Sequence, residues 1–241
     1  MIRALILAFG LQTLPAAADT TQAMRTALEL AAKEDWAGAL SVAPSGVGRD
    51  VIEWQRLRAG DGRLGEYEEF LARRPDWPGL PLLREKGEAA VARSDDPARV
   101  VAWFDAGLPE TGTGAIAYVR ALLAQGRAAD AETEAMRAWS TLPFAANDEQ
   151  ALIDLAPEAV GFVHELRLDT LLWEGRTREA ERMLPRVSKD LQALARARIA
   201  LQAESKGVTG LIEAVPKAQA GDPGLAYDRF IWRMKKDLYD E

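Results

Sequence analysis

His164 is the only histidine in the chain, and it lies in the run Phe162-Val163-His164-Glu165-Leu166. A nucleophile–base pair or a zinc site would need it to have partners. The chain has no cysteine, and one imidazole with scattered carboxylates is a thin ligand set. The expectation is a structural or solvent-facing histidine. Carboxylates come in close groups: Glu66, Glu68 and Glu69; Glu132 and Glu134; Glu179 and Glu181. Glycosidic cleavage would need one of them kept protonated by an apolar pocket. These groups stand beside arginines at helical spacing, which predicts solvated polar faces instead. Gly112-Thr113-Gly114-Ala115-Ile116-Ala117 fits the relaxed dinucleotide-loop pattern. However, eight residues including Pro109 part it from the apolar run Val100–Phe104, whereas such a loop leaves its strand directly. It predicts a loop entering a helix, with Thr113 as its cap. Seven tryptophans could include sugar-stacking platforms, but most sit beside helix ends, which favours packing between helices. No catalytic residue, cofactor-binding residue or metal ligand is assigned from the sequence.

The elements that carry these residues are helices. Ala, Leu, Glu and Arg dominate, all good helix formers, and no alternating stretch suggests a half-buried strand. One phrase occurs twice. Leu122-Leu123-Ala124-Gln125-Gly126-Arg127-Ala128-Ala129-Asp130-Ala131 recurs as Leu171-Leu172-Trp173-Glu174-Gly175-Arg176-Thr177-Arg178-Glu179-Ala180, 49 residues on. Each copy is an apolar helix end, a Gly-Arg turn and a second helix with alanine inward, which is one helical hairpin. Weaker copies start near Lys33 and Gly62, placing Ala39 and Tyr67 at the inward position. Expected buried stripes are Ile116, Val119, Leu122 and Leu123; Ala131, Ala135, Ala138 and Trp139; and Ala180, Met183, Leu184 and Val187. Asp96-Pro97 and Asp222-Pro223 are expected helix starts, and Asn147 with Gln150 resembles a capping box. Pro157 and Pro216 are expected stops. Tyr227 to Glu241 is expected to be helical, with Ile231, Met234 and Leu238 in register. Hairpins repeated at such intervals stack. The expected fold is all-α, a right-handed superhelical stack of tetratricopeptide-like helical hairpins, an α-solenoid. No linker is long enough to divide it, so residues 19–241 are expected to form one domain.

The first 18 residues look like an address. Arg3, the apolar run Ala4–Leu11 and the small residues Ala16-Ala17-Ala18 occur in the order of a secretory signal peptide. The chain is therefore expected in the periplasm, with no transmembrane segment after cleavage. Without cysteine, an exported fold must stand on burial alone. The 30 Lys and Arg against 37 Asp and Glu give a net charge of −7, an unfavourable balance for nucleic acid, whose phosphates need clustered cations.

Several phrases together carry a resemblance. They are Arg73-Arg74-Pro75-Asp76-Trp77-Pro78-Gly79, Leu82-Leu83-Arg84-Glu85-Lys86-Gly87-Glu88, Gly107-Leu108-Pro109-Glu110-Thr111-Gly112-Thr113-Gly114, His164–Trp173 and Gly224–Phe230. Over essentially all of residues 19–241 the chain resembles the N-terminal superhelical region of soluble lytic murein transglycosylases of the alphaproteobacterial type. The resemblance implies a periplasmic protein associated with peptidoglycan glycan strands and possessing no cofactor. In that family a C-terminal domain cuts the bond between N-acetylmuramic acid and N-acetylglucosamine and forms a 1,6-anhydro sugar. The family's catalytic glutamate lies in a Glu-Ser pair followed by a Gly-Leu-Met-Gln type stretch. The only Glu-Ser pair here is Glu204-Ser205, followed by Lys206-Gly207-Val208, and no Gly-Leu-Met-Gln occurs. Glu204 is accordingly expected to have no catalytic role, and the chain to be the first, non-catalytic portion of such an enzyme. A periplasmic adaptor that binds other cell-wall proteins through a concave helical face is the alternative the repeat allows.

Overall fold

The computed structural model describes residues 15–236, with side chains from Asp19 onward. The expected signal peptide therefore lies outside the described residues, except for the backbone of residues 15–18. Leu238, expected to continue the last apolar register, lies outside them as well. Among the described residues there are fifteen α-helices and no strand. The fold is all-α. The chain divides into two compact units, the first ending at Ala90 and the second beginning at Val91.

The first unit holds α1 (Pro15–Ala31), α2 (Trp36–Val42), α3 (Val47–Arg58), α4 (Leu64–Arg73) and most of α5 (Leu80–Val91). Helices α1, α2 and α3 pack on one another through Ala27, Ala31, Ala39 and Ile52. Three alanines at these contacts let the helix axes approach closely. Ala39 and Tyr67, the expected inward residues of the weaker copies, are fully buried. The Tyr67 hydroxyl donates to the Leu57 carbonyl at 2.8 Å, so the one polar atom of that ring is satisfied.

The second unit runs from Val91. It contains α6 (Pro97–Phe104), α7 (Gly112–Ala124), α8 (Ala128–Thr141), α9 (Ala146–Leu155), α10 (Pro157–Phe162), α11 (His164–Trp173), α12 (Thr177–Met183), α13 (Lys189–Gln202), α14 (Val208–Glu213) and α15 (Pro223–Lys235). The duplicated phrase forms the α7–α8 and α11–α12 pairs, and each pair is in contact. Helix α8 also packs on α10 and α11, and α13 packs on α11, α12, α14 and α15. Contacts therefore pass between elements close in sequence.

Local chemistry explains most boundaries. Asp96 accepts from the Ala98 and Arg99 amides, and Asp222 from Leu225 N–H. Each precedes a proline in the first turn, whose missing N–H costs nothing there. Pro157 closes α9 and opens α10. Several expectations need correction. Asn147 is not a cap: α9 starts one residue earlier, with Ala145 at the cap position and no side-chain bond. Thr111, not Thr113, caps α7, accepting from Gly114 N–H at 3.0 Å. Helix α14 ends at Glu213, before Pro216 is reached. Leu123 is 37% exposed while Ile116, Val119 and Leu122 are buried, because four consecutive stripe positions are wider than the contact. Helix α12 gives way at Leu184 to a 3₁₀ turn over Leu184–Arg186, so Leu184 and Val187 leave the α register and are only half-buried.

Candidate functional site

The sole histidine opens α11 and lies against the buried Trp139 ring. The Trp139 indole N–H donates to His164 Nδ1 at 3.1 Å. Burial, followed by the nearby Arg186 and Arg167 charges, holds the imidazole pKa below its ordinary value. A neutral acceptor is the form that this contact requires. One turn further on the same helix, Arg167 is 1% exposed. It donates to the Trp139 and Leu142 carbonyls at 2.6 and 3.2 Å and to Glu149 Oε1 at 3.0 Å. Its guanidinium lies 4.2 Å from the Trp139 ring centroid. Arg182 holds the other side of Glu149 at 2.8 and 3.0 Å. Burial pushes the Glu149 carboxyl up, but hydrogen bonds from Arg182 and Arg167 outweigh it and hold it below the usual range. Glu149 is thus ionised and closed off, the opposite of a poised general acid.

The expected carboxylate groups divide similarly. Glu66 is held by Arg56 at 2.7 Å, and Glu179 by Arg176 at 3.0 Å; Glu132 and Glu181 are exposed. Glu134 departs from the solvated-face expectation. It is 4% exposed and accepts twice from Arg137, at 2.8 and 2.7 Å. The Gly112–Ala117 phrase follows a helix rather than a strand. Gly112 is small for a packing reason, since a β-carbon there would lie 2.6 Å from the Phe144 ring.

Glu204 terminates α13 in the left-handed region, with φ 51°. The Lys235 and Lys236 ammonium groups donate to its two oxygens at 3.1 and 3.0 Å. Those bonds, Lys236 first, hold its carboxyl below the usual range. This surface carboxylate, favoured in its charged form by two lysines, has no apolar pocket of the kind that keeps the acid of glycosidic cleavage protonated.

The arrangement best suited to a ligand lies where α11, α13 and α15 meet. A cleft of about 390 Å³ is lined by Trp173, Gln202, Tyr227, Asp228, Trp232 and Lys235, among others. Trp173 and Tyr227 are 50% and 53% exposed, with ring centroids 5.7 Å apart at an interplanar angle of 40°. Large aromatic rings left half in water at a concave site are the common way proteins offer a face to an amphipathic ligand. Beneath them is a charged network. Arg198, 1% exposed, donates to Asp228 at 2.8 Å and to Asp169 at 3.2 Å. Its guanidinium lies 5.0 Å from the Trp173 centroid. Gly224 makes room for it: a β-carbon there would come within 2.1 Å of that guanidinium. Gln202 donates to the Leu172 carbonyl at 2.7 Å and to both Asp228 oxygens at 3.1 Å. Two polar atoms of the lining residues remain buried with no hydrogen-bond partner, Gln202 Oε1 and Trp232 Nε1. Such an atom costs about 1–3 kcal/mol.

The sequence favoured a packing role for the seven tryptophans, Trp173 and Trp232 among them, and its spacing did not point to Arg167, Arg198, Gln202 or Asp228. A signal was present. Arg167 stands among Leu166, Leu168 and Leu171, and Arg198 among Ala197, Ile199 and Leu201. A charge inside an apolar stripe points to a buried partner. That partner is 18 residues away for Arg167 and 30 for Arg198, beyond the reach of local spacing. The sequence matches no protein-family model, and it matches none of the curated proteins or solved structures.

Proposed function

We propose that this chain is the superhelical, non-catalytic portion of a periplasmic lytic murein transglycosylase and that it holds peptidoglycan glycan strands while a different domain cuts them. The fold that goes with this function is a right-handed stack of hairpins, for which the duplicated α7–α8 and α11–α12 pairs and the neighbour-to-neighbour contacts are the support. The phrases that resemble the family supply the substrate. The observation that carries the binding role is the half-exposed Trp173–Tyr227 pair over a polar floor. The state of Glu204, charged and tied to two lysines, supports the absence of cutting within these residues.

Sedimentation with purified murein sacculi tests the proposal. The wild-type chain is expected in the pellet. The Trp173→Ala/Tyr227→Ala variant is expected to bind at least about tenfold more weakly, the equivalent of about 1.4 kcal/mol. No 1,6-anhydro-muropeptides are expected in the supernatant. Their release overturns the non-catalytic assignment, and a wild-type chain that stays in solution overturns glycan binding. One feature favours the adaptor alternative: Phe162 and Leu166 are 84% and 54% exposed at the α10–α11 corner. Capture of a defined cell-wall protein that Phe162→Ser abolishes, with no sacculus binding, would establish the adaptor in its place.

A further inference from the structure

Among the described residues of the unit from Val91, the large apolar side chains left exposed are not scattered. All but Leu108 and Leu123 lie on the α10–α11 corner, α11 and α15: Phe162, Leu166, Trp173, Tyr227, Phe230 and Met234, each 43–84% exposed. Bonds across α13 string them into one line. Asp169 and the Leu172 carbonyl of α11 are level with Arg198 and Gln202 of α13, and those two are level with Asp228 of α15. Further on, Glu204 at the end of α13 meets Lys235 near the end of α15. The three helices therefore run in the same direction. The Trp173 and Tyr227 rings meet with centroids 5.7 Å apart, which joins the outward faces of α11 and α15. Phe162 and Leu166 precede that junction, and Phe230 and Met234 follow it. At a helical rise of about 1.5 Å per residue, the strip is roughly 25 Å long. Asp169 and Thr170 interrupt it for one turn.

Charge changes sign from one end of the strip to the other. Glu158, Glu165 and Asp169, all exposed, accompany Phe162 and Leu166, and Arg186, near His164, offsets them only in part. Arg229, Arg233, Lys235 and Lys236 accompany Phe230 and Met234, against the single carboxylate of Glu204 that holds the two lysines. An anionic lipid surface would attract one end and repel the other. A second copy of the same strip, turned about a two-fold axis through the Trp173–Tyr227 junction, lays acidic end on basic end twice. That self-complementarity is what an isologous dimer requires. The area is also of the right order. The exposed parts of the strip amount to roughly 600–700 Å² per copy, against about 800 Å² per partner in a standard interface. We infer that the outward faces of α11 and α15 form the interface of a two-fold symmetric dimer of this chain, with the acidic Phe162–Leu166 end of each copy seated on the basic Phe230–Met234 end of the other. The inference does not rest on glycan binding. A copy seated there covers Trp173 and Tyr227, so the dimer and a glycan strand compete for the same face.

Sedimentation equilibrium of the intact chain, over a range of concentrations and at low and high salt, tests the inference. A reversible monomer–dimer equilibrium is expected, of micromolar or tighter affinity, weakening as salt screens the charged ends. Phe230→Ser, at an exposed position, should weaken the dimer by about tenfold or more, because each change enters a two-fold interface twice. Glu165→Lys alone and Arg229→Glu alone should each weaken it by about tenfold, and the chain carrying both should return to within about threefold of wild type. That rescue separates a lost interface from a damaged fold, since a second surface change does not repair misfolding. A wild-type chain that stays monomeric throughout overturns the interface. A dimer that ignores salt and is not rescued by the double swap overturns the pairing of acidic and basic ends. Species that grow beyond the dimer overturn the two-fold arrangement in favour of head-to-tail assembly. A monomer that floats with phosphatidylglycerol vesicles, and no longer does so as Phe230→Ser, overturns the second copy in favour of a lipid surface.

Discussion

Two arginines and one histidine show how single residues set this molecule's chemistry. Arg167 and Arg198 are each 1% exposed, and each combines a carboxylate, an aromatic ring and at least one further acceptor. A buried guanidinium needs acceptors for its five donors, and here Arg167 Nε and Arg198 Nη2 are still without one. Arg167→Met would strand Glu149 on one side and leave the Trp139 and Leu142 carbonyls without their donor. The expected loss in urea unfolding is about 3–5 kcal/mol. Glu149→Gln keeps an acceptor for both arginines and should cost less than half as much. Equal losses would show that charge neutralisation, not carbonyl satisfaction, governs the site. His164 gives a pH dependence of known sign. Its folded pKa is depressed, so the unfolded chain binds more protons just below the ordinary imidazole value. Stability is therefore full above about pH 6.5 and is lost as pH falls from there through the folded pKa. Thermal unfolding between about pH 7.5 and about pH 5 should show a steeper fall for the wild type than for His164→Gln, whose amide oxygen still accepts from Trp139 but does not titrate. Parallel slopes would remove His164 from the acid response.

At the scale of elements, one helix-ending device recurs. Glu34, Gly60, Gly126, Gly175 and Glu204 all have positive φ. After four of them the next amide bonds a carbonyl five residues back: Asp61 to Arg56, Arg127 to Leu122, Arg176 to Leu171 and Ser205 to Ala200. Asp35 bonds Leu30 in the same manner. Glycine adopts the left-handed region without strain, and a β-carbon there costs about 1 kcal/mol. Gly126→Ala and Gly175→Ala should each destabilise by about 1 kcal/mol, while Glu34→Gly should stabilise by up to about 1 kcal/mol. Equilibrium denaturation measures all three, and a destabilised Glu34→Gly would mean that its side chain contributes more than its backbone strain takes away. A second device accompanies the first. The guanidinium of the arginine that follows the turn donates to the acidic residue three positions on, as Arg127 to Asp130 and Arg176 to Glu179, whereas Arg63 reaches Glu66 through its backbone N–H. These local features were legible in the sequence because turn and partner lie within five residues of each other. The Gly-Arg turns, the Asp-Pro starts and the inward alanines could all be located there. Thr111 was missed as a cap because Thr113 and Thr111 flank the same glycine, and only backbone conformation chooses between them. The cleft was illegible for a different reason. It joins Trp173, Gln202 and Tyr227, residues on three helices, and nothing in the spacing of one helix reports where the next will lie.

For the molecule as a whole, the decisive property is that packing is local. Within the unit from Val91, α6 and α7 pack on each other, and α7 packs on α8 and α9, while α13 packs on α11, α12, α14 and α15. When each helix leans chiefly on its sequence neighbours, stability is a sum of element and interface terms, and damage need not spread to the far end. A fold with one shared core behaves differently, because a lesion lowers the stability of every part together. Arg198 gives a clean lesion, since its partners Asp169 and Asp228 lie on α11 and α15. In Arg198→Met, amide hydrogen exchange in α13 and α15 should quicken by about tenfold or more, the equivalent of at least about 1.4 kcal/mol of local stability. Exchange in α6 and α7 should stay within about twofold of wild type. A uniform acceleration across α6–α15 would mean that the unit opens as one cooperative body, and the additive, repeat-like description would fail. A gradient from α15 back to α7 would bear it out. It would also explain how a ligand at the α11–α13–α15 cleft could order its own helices and leave those beyond α8 unchanged.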